Sequence, residues 1–282
     1  MNFMIRAVEV GSRVVDGIEK VGCLNRDIPP YSLRRMVGAP PLDFTGRMYR
    51  LQGPRWLGHL RTIGELDAAS SILEIGCGCG RVSGEILAHK KMATRFVGFD
   101  VREDLIDWAK EHLQRKFGNA EFFHAAIHNA RYNDGGTIDA SGYAFPFGSD
   151  EFELIYATSV FTHLLDVAVA NYFKEIARIL KPDGKFVATF FLVDIDHPHQ
   201  TGGARRGPDG ARPWRGPGFY NRVGSAYSPY SELPERMIGY RIADIAELAT
   251  KAGLKIAGVH PGFWKHGGPS ITWQDLLVFE RF

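Results

Sequence analysis

One short segment constrains the fold of this chain more than any other, because a run of strand length leads directly into three glycines at alternate positions. Residues 72–75 read Ile-Leu-Glu-Ile, residues 76–80 read Gly-Cys-Gly-Cys-Gly, and Arg81 begins an amphipathic stretch. Glycine permits a sharp turn and a close approach of the backbone to a ligand, and the first turn of a helix offers unpaired N–H groups to an anion. The segment therefore predicts a strand, a ligand-binding turn and a helix.

Strand-length and helix-length segments alternate from Ser71 to Val193, which is typical of a parallel sheet wrapped by helices. Strands are predicted at Ile72–Ile75, Arg95–Phe99, Ala120–His124, Phe152–Ala157 and Lys185–Val193. Helices are predicted at Arg81–Lys90, Glu103–Phe117 and Val167–Leu180, and the turn at residues 181–184, Lys-Pro-Asp-Gly, is expected to end the last of them. This order predicts an α/β fold with a doubly wound sheet.

The flanks of this unit carry different patterns. Residues 1–70 hold scattered aromatic and basic residues and are predicted to form an N-terminal helical cap segment packed beside the sheet or over its open end. Residues 194–238 are rich in glycine, proline and arginine, so we expect a lid-like insertion of irregular backbone. A helix at Tyr240–Ala252 and strands at Leu254–His260 and Asp275–Phe282 would complete a main domain over residues 71–282.

Composition excludes several function classes. The chain of 282 residues is 45% hydrophobic and 23% charged, as expected of a packed globular protein. A net charge of +2 does not indicate nucleic-acid binding. The sequence contains neither an apolar run of membrane-spanning length nor a leader-like start, so we expect a cytoplasmic protein that does not bind membranes. Three cysteines, at 23, 77 and 79, are consistent with a reducing compartment.

A carboxylate follows the second predicted strand at the position where a nucleoside ribose could be held. Asp100 ends the segment Gly-Phe-Asp and lies 24 residues after Gly76, a spacing that suits acceptance of both ribose hydroxyls. A glycine-rich turn alone would equally suit a dinucleotide. The spacing Gly-x-Gly-x-Gly differs, however, from the Gly-x-Gly-x-x-Gly of dinucleotide sites, and Glu74 precedes the first glycine by two residues.

Three further blocks follow in order: Phe-Pro-Phe-x-x-Asp-x-Phe-Glu-Leu-Ile at 145–155, Ser-Val-Phe-Thr-His-Leu at 159–164 and Glu-Ile-Ala-Arg-Ile-Leu-Lys-Pro-Asp-Gly at 175–184. Together with the glycine turn and Asp100, these blocks resemble the class I S-adenosylmethionine (SAM)-dependent methyltransferases over roughly Ser71 to Val193. The resemblance implies a Rossmann-like, seven-stranded, mostly parallel sheet whose seventh strand is antiparallel. It also implies SAM as cofactor and S-adenosylhomocysteine (SAH) as product.

The resemblance assigns cofactor roles to individual positions. It implies that Gly76, Cys77, Gly78, Gly80 and Arg81 form the cradle for the methionine part of SAM. It further implies that Glu74 orients the ammonium group, that Asp100 holds the ribose with Val101 beside the adenine, and that Thr158 lines the methionine side.

The sequence departs from the family after the third strand. The family often has an acid there for the adenine amino group, whereas this chain reads Ala125-Ala126-Ile127. Ala126 and Ile127 are retained as cofactor-binding residues because Ile127 can pack on the ring. The Asn129 amide or a backbone carbonyl could accept the hydrogen bond instead.

His163 is the candidate catalytic residue, since it follows the fourth strand at the edge of the sheet where ligands bind in this architecture. An imidazole can take a proton from a hydroxyl or amine near neutral pH. The alternative is a histidine that shapes or caps the following helix.

Two clusters could suggest metal. Asp194, Asp196, His197 and His199 form a polar group after the fifth strand, without a helical framework to bring the ligands together, so the wall of an acceptor pocket is the preferred interpretation. Cys77 and Cys79 lie inside the cofactor turn, and a metal needs about four ligands. No metal site is predicted.

The insertion combines basic and aromatic residues that could contact a methyl acceptor. These are Arg205, Arg206, Arg212, Arg215 and Arg222, interleaved with Trp214, Phe219, Tyr220, Tyr227 and Tyr230. Arginine suits carboxylate or phosphate and aromatic rings suit a planar acceptor, while a solvated mobile lid is the plainer alternative. Residues 261–264, Pro-Gly-Phe-Trp, form the far wall of the pocket or pack on the sheet.

The predicted function is direct displacement of the SAM methyl group by a small-molecule nucleophile, oxygen first, with nitrogen or sulfur as alternatives. No Asp/Asn-Pro-Pro-Tyr/Phe/Trp motif follows the fourth strand and no Pro-Cys nucleophile occurs, so nucleic acid is not the expected acceptor. An RNA methyltransferase and a SAM-binding protein without catalysis stay open as alternatives. The sequence makes no prediction of oligomeric state.

Overall fold

The computed structural model describes residues 2–22, 24–25, 27–38, 43–90, 94–194, 218–265 and 272–282, with the backbone alone for residues 2–10. Within these ranges, no helix combines the length and the apolar content needed to cross a membrane.

A seven-stranded sheet forms the centre of the molecule. Its strands are β1 (Ser71–Ile75), β2 (Arg95–Asp100), β3 (Ala120–His124), β4 (Phe152–Ala157), β5 (Leu180–Phe190), β9 (Leu254–His260) and β10 (Asp275–Arg281). They lie in the order β3-β2-β1-β4-β5-β10-β9. The first five pair in parallel, and β10 is antiparallel to both of its neighbours. The predicted fold class is therefore confirmed.

Helices cover both faces of this sheet. The helices are α1 (Asn2–Val21), α2 (Tyr31–Met36), α3 (Arg47–Ile63), α4 (Ser83–His89), α5 (Glu103–Ala109), α6 (Asp166–Ile179) and α7 (Ile242–Lys251). One core cluster joins the sheet to α6 and α7 through residues such as Phe173 and Ile245. The other joins it to α3, α4 and α5 through residues such as Leu60, Ile86 and Ile106. The N-terminal segment thus supplies α3 to the core of the sandwich.

Several predicted boundaries are wrong. The predicted helix over 103–117 divides into α5 and a π-helix at Lys110–Gln114. The helix predicted over 167–180 ends at Ile179, as the segment at residues 181–184 predicts. That segment is not a free turn, however, but falls inside β5, where the register shifts from the pair Phe152–Leu180 to the pair Leu154–Lys185. Residues 181–184 therefore lie in a bulge of that strand, which accommodates the proline without a ladder hydrogen bond.

The described part of the insertion is more regular than expected. Strands β6 (Asn221–Val223), β7 (Ala226–Ser228) and β8 (Gly239–Tyr240) form a small antiparallel sheet, and a 3₁₀ turn spans Pro234–Arg236. The prediction of irregular backbone throughout 194–238 is wrong for β6, β7 and the 3₁₀ turn, and β8 follows directly after that range. Tyr240, placed at the start of a helix by its sequence period, is instead a buried strand residue that donates its hydroxyl hydrogen bond to the Leu164 carbonyl at 2.6 Å.

Candidate functional site

A cavity of about 740 Å³ lies at the carboxyl ends of β1, β2, β4 and β5. The predicted residues that line it are Glu74, Gly76, Cys77, Gly78, Arg81, Asp100, Val101, Ile127, Thr158 and His163. Its volume is in the range of cavities that bury a drug-sized ligand. The parallel sheet thus brings together residues separated by almost ninety positions, because the carboxyl ends of parallel strands share one edge.

Two predicted cofactor residues do not line this cavity. Gly80 turns the backbone with φ of +82°, and a side chain there would meet Leu113. The carbonyl of Ala126 accepts backbone N–H groups of Thr137 and Ile138 at 2.9 and 3.1 Å. Both residues therefore support the shape of the site from behind its lining.

The glycine turn adopts a backbone that side chains oppose. Gly76 and Gly78 have φ values of +70° and +56°, in the region where L-residues with a Cβ are strained. A Cβ on Gly78 would lie 2.5 Å from Cγ1 of Val37, which follows α2. The amides of Gly76 and Cys77 donate to the Phe99 carbonyl at 2.8 and 3.0 Å, so the turn is tied to the end of β2.

Asp100 is held by backbone amides. Gly78 N–H donates to its Oδ2 at 2.8 Å and Arg102 N–H donates to its Oδ1 at 3.0 Å. Burial raises the pKa of this carboxyl, while the two backbone hydrogen bonds oppose that rise. Each oxygen keeps further lone-pair capacity for a hydroxyl donor.

Glu74 is a buried carboxyl beside the partly buried guanidinium of Arg81. Its residue is 2% exposed, it accepts the Ser83 hydroxyl, and burial raises its pKa to about 8. Arg81 lies close enough to oppose that rise, and burial lowers the pKa of Arg81 in turn. Within the described structure, Nε of Arg81 is buried without a hydrogen-bond partner. A buried donor without a partner is costly, which fits a site that a polar ligand completes.

These features fit a bound SAM. The glycine backbone leaves a cradle that side chains would fill, the carboxyl of Glu74 could accept an ammonium, and Asp100 could accept ribose hydroxyls. Each of these groups lines the same cavity. The donor set of the site therefore matches the chemistry of an amino-acid nucleoside.

His163 lies on a 3₁₀ turn at Phe161–His163, directly after β4. Its Nδ1 is 2.8 Å from the Glu235 carbonyl, and its Nε2 is 3.3 Å from the Tyr132 hydroxyl. A carbonyl can only accept, so Nδ1 carries the proton and Nε2 keeps its lone pair. Burial lowers the pKa of His163 to about 4. The imidazole is therefore neutral at physiological pH.

Several cavity residues were missed by sequence reasoning. One face of α3 lines the cavity through Gln52, Arg55, Trp56 and His59. Their i, i+3, i+4, i+7 spacing indicates a shared helix face, but nothing in the sequence aims that face at the glycine turn. Other lining residues have no local sequence pattern that marks them. They are the loop residues Arg131 and Tyr132, the strand residue Thr189, and Arg236 and Gln274.

Some of the remaining predicted residues pack or form hydrogen bonds within the protein, and others lie outside the described ranges. Phe263 lines the cavity, whereas Trp264 is buried and donates its indole N–H to Asp275 at 2.6 Å, so both proposed roles of this segment occur. Asn129 is occupied, because its Oδ1 accepts the N–H groups of Arg131 and Tyr132 at 3.1 and 3.0 Å. Asp196, His197 and His199 lie outside the described residues, as do Arg205, Arg206, Arg212, Trp214 and Arg215.

Cys77 and Cys79 are buried free thiols. Burial raises the pKa of both, to about 12 for Cys79. Since the thiolate is the nucleophile and the metal ligand, these two residues act here as small side chains within the turn.

Comparisons with known proteins agree with this geometry. Residues 73–188 match the family described as methyltransferase domain. A curated relative from Bacillus subtilis (strain 168), the uncharacterized methyltransferase YcgJ, is 28% identical over 164 residues, which are 56% of this chain and 55% of that protein. The match thus spans about half the length of each protein.

Solved structures share the fold at low identity. The CcbJ methyltransferase from Streptomyces caelestis has a TM-score of 0.52 at 15% identity and covers 87% of this chain and 91% of its own. The magnesium protoporphyrin IX methyltransferase from Synechocystis PCC 6803, solved with bound SAH, has a TM-score of 0.51 at 14% identity over 88% of this chain and 92% of its own. At these identities the similarity shows a shared fold.

Proposed function

On the premise that this chain carries a class I SAM-dependent methyltransferase domain, we propose that it transfers a methyl group from SAM to a small-molecule nucleophile. The observation that carries the proposal is that one cavity is lined both by the glycine turn with Asp100 and by His163 with Tyr132. We call the first group of residues the cofactor end and the second the acceptor end. One cavity can therefore hold the cofactor and an acceptor together.

The cofactor end would be formed by the turn at residues 76–78 with Glu74, Asp100 and Thr158. Glu74 would accept the ammonium, Asp100 would accept ribose hydroxyls, and Val101 and Ile127 would pack on the adenine. Bound SAM supplies an electrophilic methyl group on a sulfonium. The protein's contribution is to hold that group and the acceptor in line, and such positioning accounts for much of the catalysis in this class of reaction.

The acceptor end offers a neutral imidazole for proton transfer. Since Nδ1 of His163 donates to the Glu235 carbonyl, Nε2 is the nitrogen that can take a proton from an acceptor hydroxyl. The Tyr132 hydroxyl, 3.3 Å from Nε2, would either donate to it or relay the proton. We propose oxygen as the attacking atom, with Nε2 of His163 as the general base that takes the hydroxyl proton as the methyl group is transferred.

Positive charge at the acceptor end favours an anionic acceptor, and aromatic side chains there favour one with a planar ring. Arg131 and Arg236 line this end, and no carboxylate of the described residues lies within ion-pair distance of either. The two acids among the cavity residues, Glu74 and Asp100, belong to the cofactor end. Aromatic side chains of Phe191, Phe263 and Trp273 supply flat surface. Arginine suits a carboxylate or phosphate of the acceptor.

We also propose that residues 1–70 act as a cap and residues 194–238 as a lid. Met36, Val37 and Gly38 line the cavity from the first segment, and Arg236 and Met237 line it from the second. Such segments exclude water from the reacting groups once both ligands are bound. Protection of both segments from limited proteolysis on addition of SAH is the expected result.

The deciding experiment has two stages. Mass spectrometry of ligands retained through purification, with calorimetry of SAM and SAH, tests the cofactor. Release of SAH is then measured over an acceptor panel in which each anionic compound is paired with its neutral ester or amide. SAH release with anionic hydroxy compounds supports the proposal. SAM binding without SAH release over the whole panel would indicate a SAM-binding protein instead, and activity on RNA alone would indicate the nucleic-acid alternative.

A further inference from the structure

The carboxylate of Glu235 joins two loops that are distant in sequence. Its Oε1 accepts the side-chain N–H of Asn129 at 3.0 Å, and its Oε2 accepts the backbone N–H of Ala130 at 3.2 Å. Glu235 belongs to the 3₁₀ turn Pro234–Arg236 at the end of the insertion, whereas Asn129 and Ala130 follow β3. One side chain therefore connects the turn Pro234–Arg236 to the loop after β3.

Asn129 extends this network in both directions. Its Nδ2 also donates to the His163 carbonyl at 3.1 Å, and its Oδ1 accepts the backbone N–H groups of Arg131 and Tyr132. The hydrogen bond from the Tyr132 N–H orients Tyr132. The Tyr132 ring meets the His163 ring edge to face at a centroid distance of 5.1 Å. Thus Asn129 sets the position of both residues at the acceptor end.

The backbone of Glu235 acts on His163 directly. Its carbonyl accepts Nδ1–H of the imidazole at 2.8 Å. The side chain of the same residue is hydrogen-bonded to Asn129 and Ala130, and these contacts restrict the movement of the turn that carries the carbonyl. Loss of the Glu235 carboxylate should therefore loosen the hydrogen bond that holds the proton on Nδ1.

We infer that Glu235, acting with Asn129, is the positioning residue of the acceptor end: it locks His163 in the Nδ1–H tautomer and presents Nε2 and the Tyr132 hydroxyl to the methyl acceptor. This inference rests on the proposed function for its effect on turnover. It does not rest on it for its structural content, since the tautomer can be observed without any reaction. Glu235 itself does not line the cavity, so its role is exerted through the residues it holds.

The variant Glu235→Gln tests this with little change of volume. A carboxylate offers an acceptor oxygen to each of the two N–H donors, whereas an amide turns an N–H₂ group toward one of them and breaks that hydrogen bond. Glu232→Gln, at an exposed position three residues earlier, removes the same charge from the same segment and is the matched control.

The first readout is the imidazole ¹⁵N spectrum of His163 in the full-length protein. The wild type should show a protonated Nδ1 and an unprotonated Nε2, and Glu232→Gln should be identical. Glu235→Gln should show a mixture of tautomers. An unchanged spectrum in a folded Glu235→Gln protein overturns the inference.

The second readout is kinetic. Glu235→Gln should bind SAM within about twofold of the wild type by calorimetry and lose about tenfold or more in kcat, which is part of the roughly 10²- to 10⁴-fold that a positioned general base supplies. Asn129→Ala should have a similar effect, and the double variant should be little worse than either single one, because both changes break one network. Additive losses would overturn the inference.

These two readouts separate the possible failures. In the first case, the wild type has a fixed tautomer that Glu235→Gln loses, but no acceptor is methylated. This result contradicts the proposed function and supports the positioning role of Glu235. Methyl transfer that is equally fast in the wild type and in Glu235→Gln removes the positioning role and leaves the function intact.

Discussion

The backbone amide of Gly78 donates a 2.8 Å hydrogen bond to the carboxylate of Asp100, so the turn after β1 is tied directly to the end of β2. The donor belongs to a residue in a left-handed conformation and the acceptor to a partly buried side chain. The same carboxylate that would hold a ribose thus also holds the turn that would contact the rest of the cofactor. A change in either residue should therefore affect both functions.

Asp100→Asn is expected to weaken SAM binding about tenfold to a hundredfold. The amide replaces one acceptor oxygen by a donor, so it opposes the N–H of Gly78 or of Arg102, and a hydrogen bond to a charged group is worth about 1.5–3 kcal/mol. Calorimetry of SAM and SAH measures the effect. Asp104→Asn, whose carboxylate is exposed and paired with Arg102, is the control and should bind normally. Unaltered affinity in Asp100→Asn would exclude the ribose role.

Gly78→Ala is expected to abolish measurable SAM binding and to destabilise the fold. The left-handed backbone costs an L-residue about 1–2 kcal/mol, and the new Cβ would press on Cγ1 of Val37 at 2.5 Å. Gly253→Ala provides the matched control, because Gly253 has φ of +88° with nothing within 4 Å of its Cβ position. The temperature of thermal unfolding should therefore fall in both variants, whereas SAM binding should be lost in Gly78→Ala alone.

Much of the central sheet could be predicted from sequence, because each strand is a local apolar run and each cofactor residue sits at the end of one. Asp100 and Glu74 are examples: their positions follow from the strand ends, and parallel strands bring those ends to one edge. Residues 181–184 predict the end of α6 correctly, but their proline and glycine do not indicate that a bulge in β5 accommodates them.

The acceptor end could not be predicted in the same way. Asn129 and Ala130 meet Glu235 through hydrogen bonds that join the loop after β3 to a turn more than a hundred residues later. Such contacts leave no period in the sequence. The helix α3 shows the intermediate case, since its cavity-facing residues have a clear spacing but its placement under the sheet depends on packing with residues such as Ile72 and Ile86.

SAM binding at pH 7 is expected to release a proton from Glu74. Burial raises the pKa of this carboxyl to about 8, so it is mostly protonated in the free protein at pH 7. A cationic ammonium beside it would favour the charged form and lower that pKa. Calorimetry in buffers of different ionisation enthalpy counts the released protons. Glu74→Gln should lower the count, and an equal count in both proteins would place the ammonium elsewhere.

The same carboxyl should make the free protein less stable as pH rises. The pKa of Glu74 is raised from 4.5 when unfolded to about 8 when folded, so its favourable contribution is complete below pH 4.5 and is lost progressively up to pH 8. The loss is on the order of several kcal/mol. Glu74→Gln stays neutral, so its free energy of unfolding should fall less than that of the wild type between pH 5 and pH 8. Urea unfolding measures this free energy at each pH. The same pH dependence in the wild type and in Glu74→Gln would contradict a raised pKa of Glu74.

His163→Gln should bind SAM normally and lose about a hundredfold in kcat, the contribution expected of a general base. Because burial lowers the pKa of His163 to about 4, the imidazole is already neutral at pH 5, and the wild-type kcat should show no acidic limb from this residue between pH 5 and pH 8. An acidic limb near pH 6.5 that disappears in His163→Gln would mean that the imidazole titrates as it does in water. His112→Gln, on the exposed surface of the π-helix, controls for loss of an imidazole. Full turnover in His163→Gln would leave Tyr132 as the group that meets the acceptor, since its hydroxyl lies beside the same nitrogen.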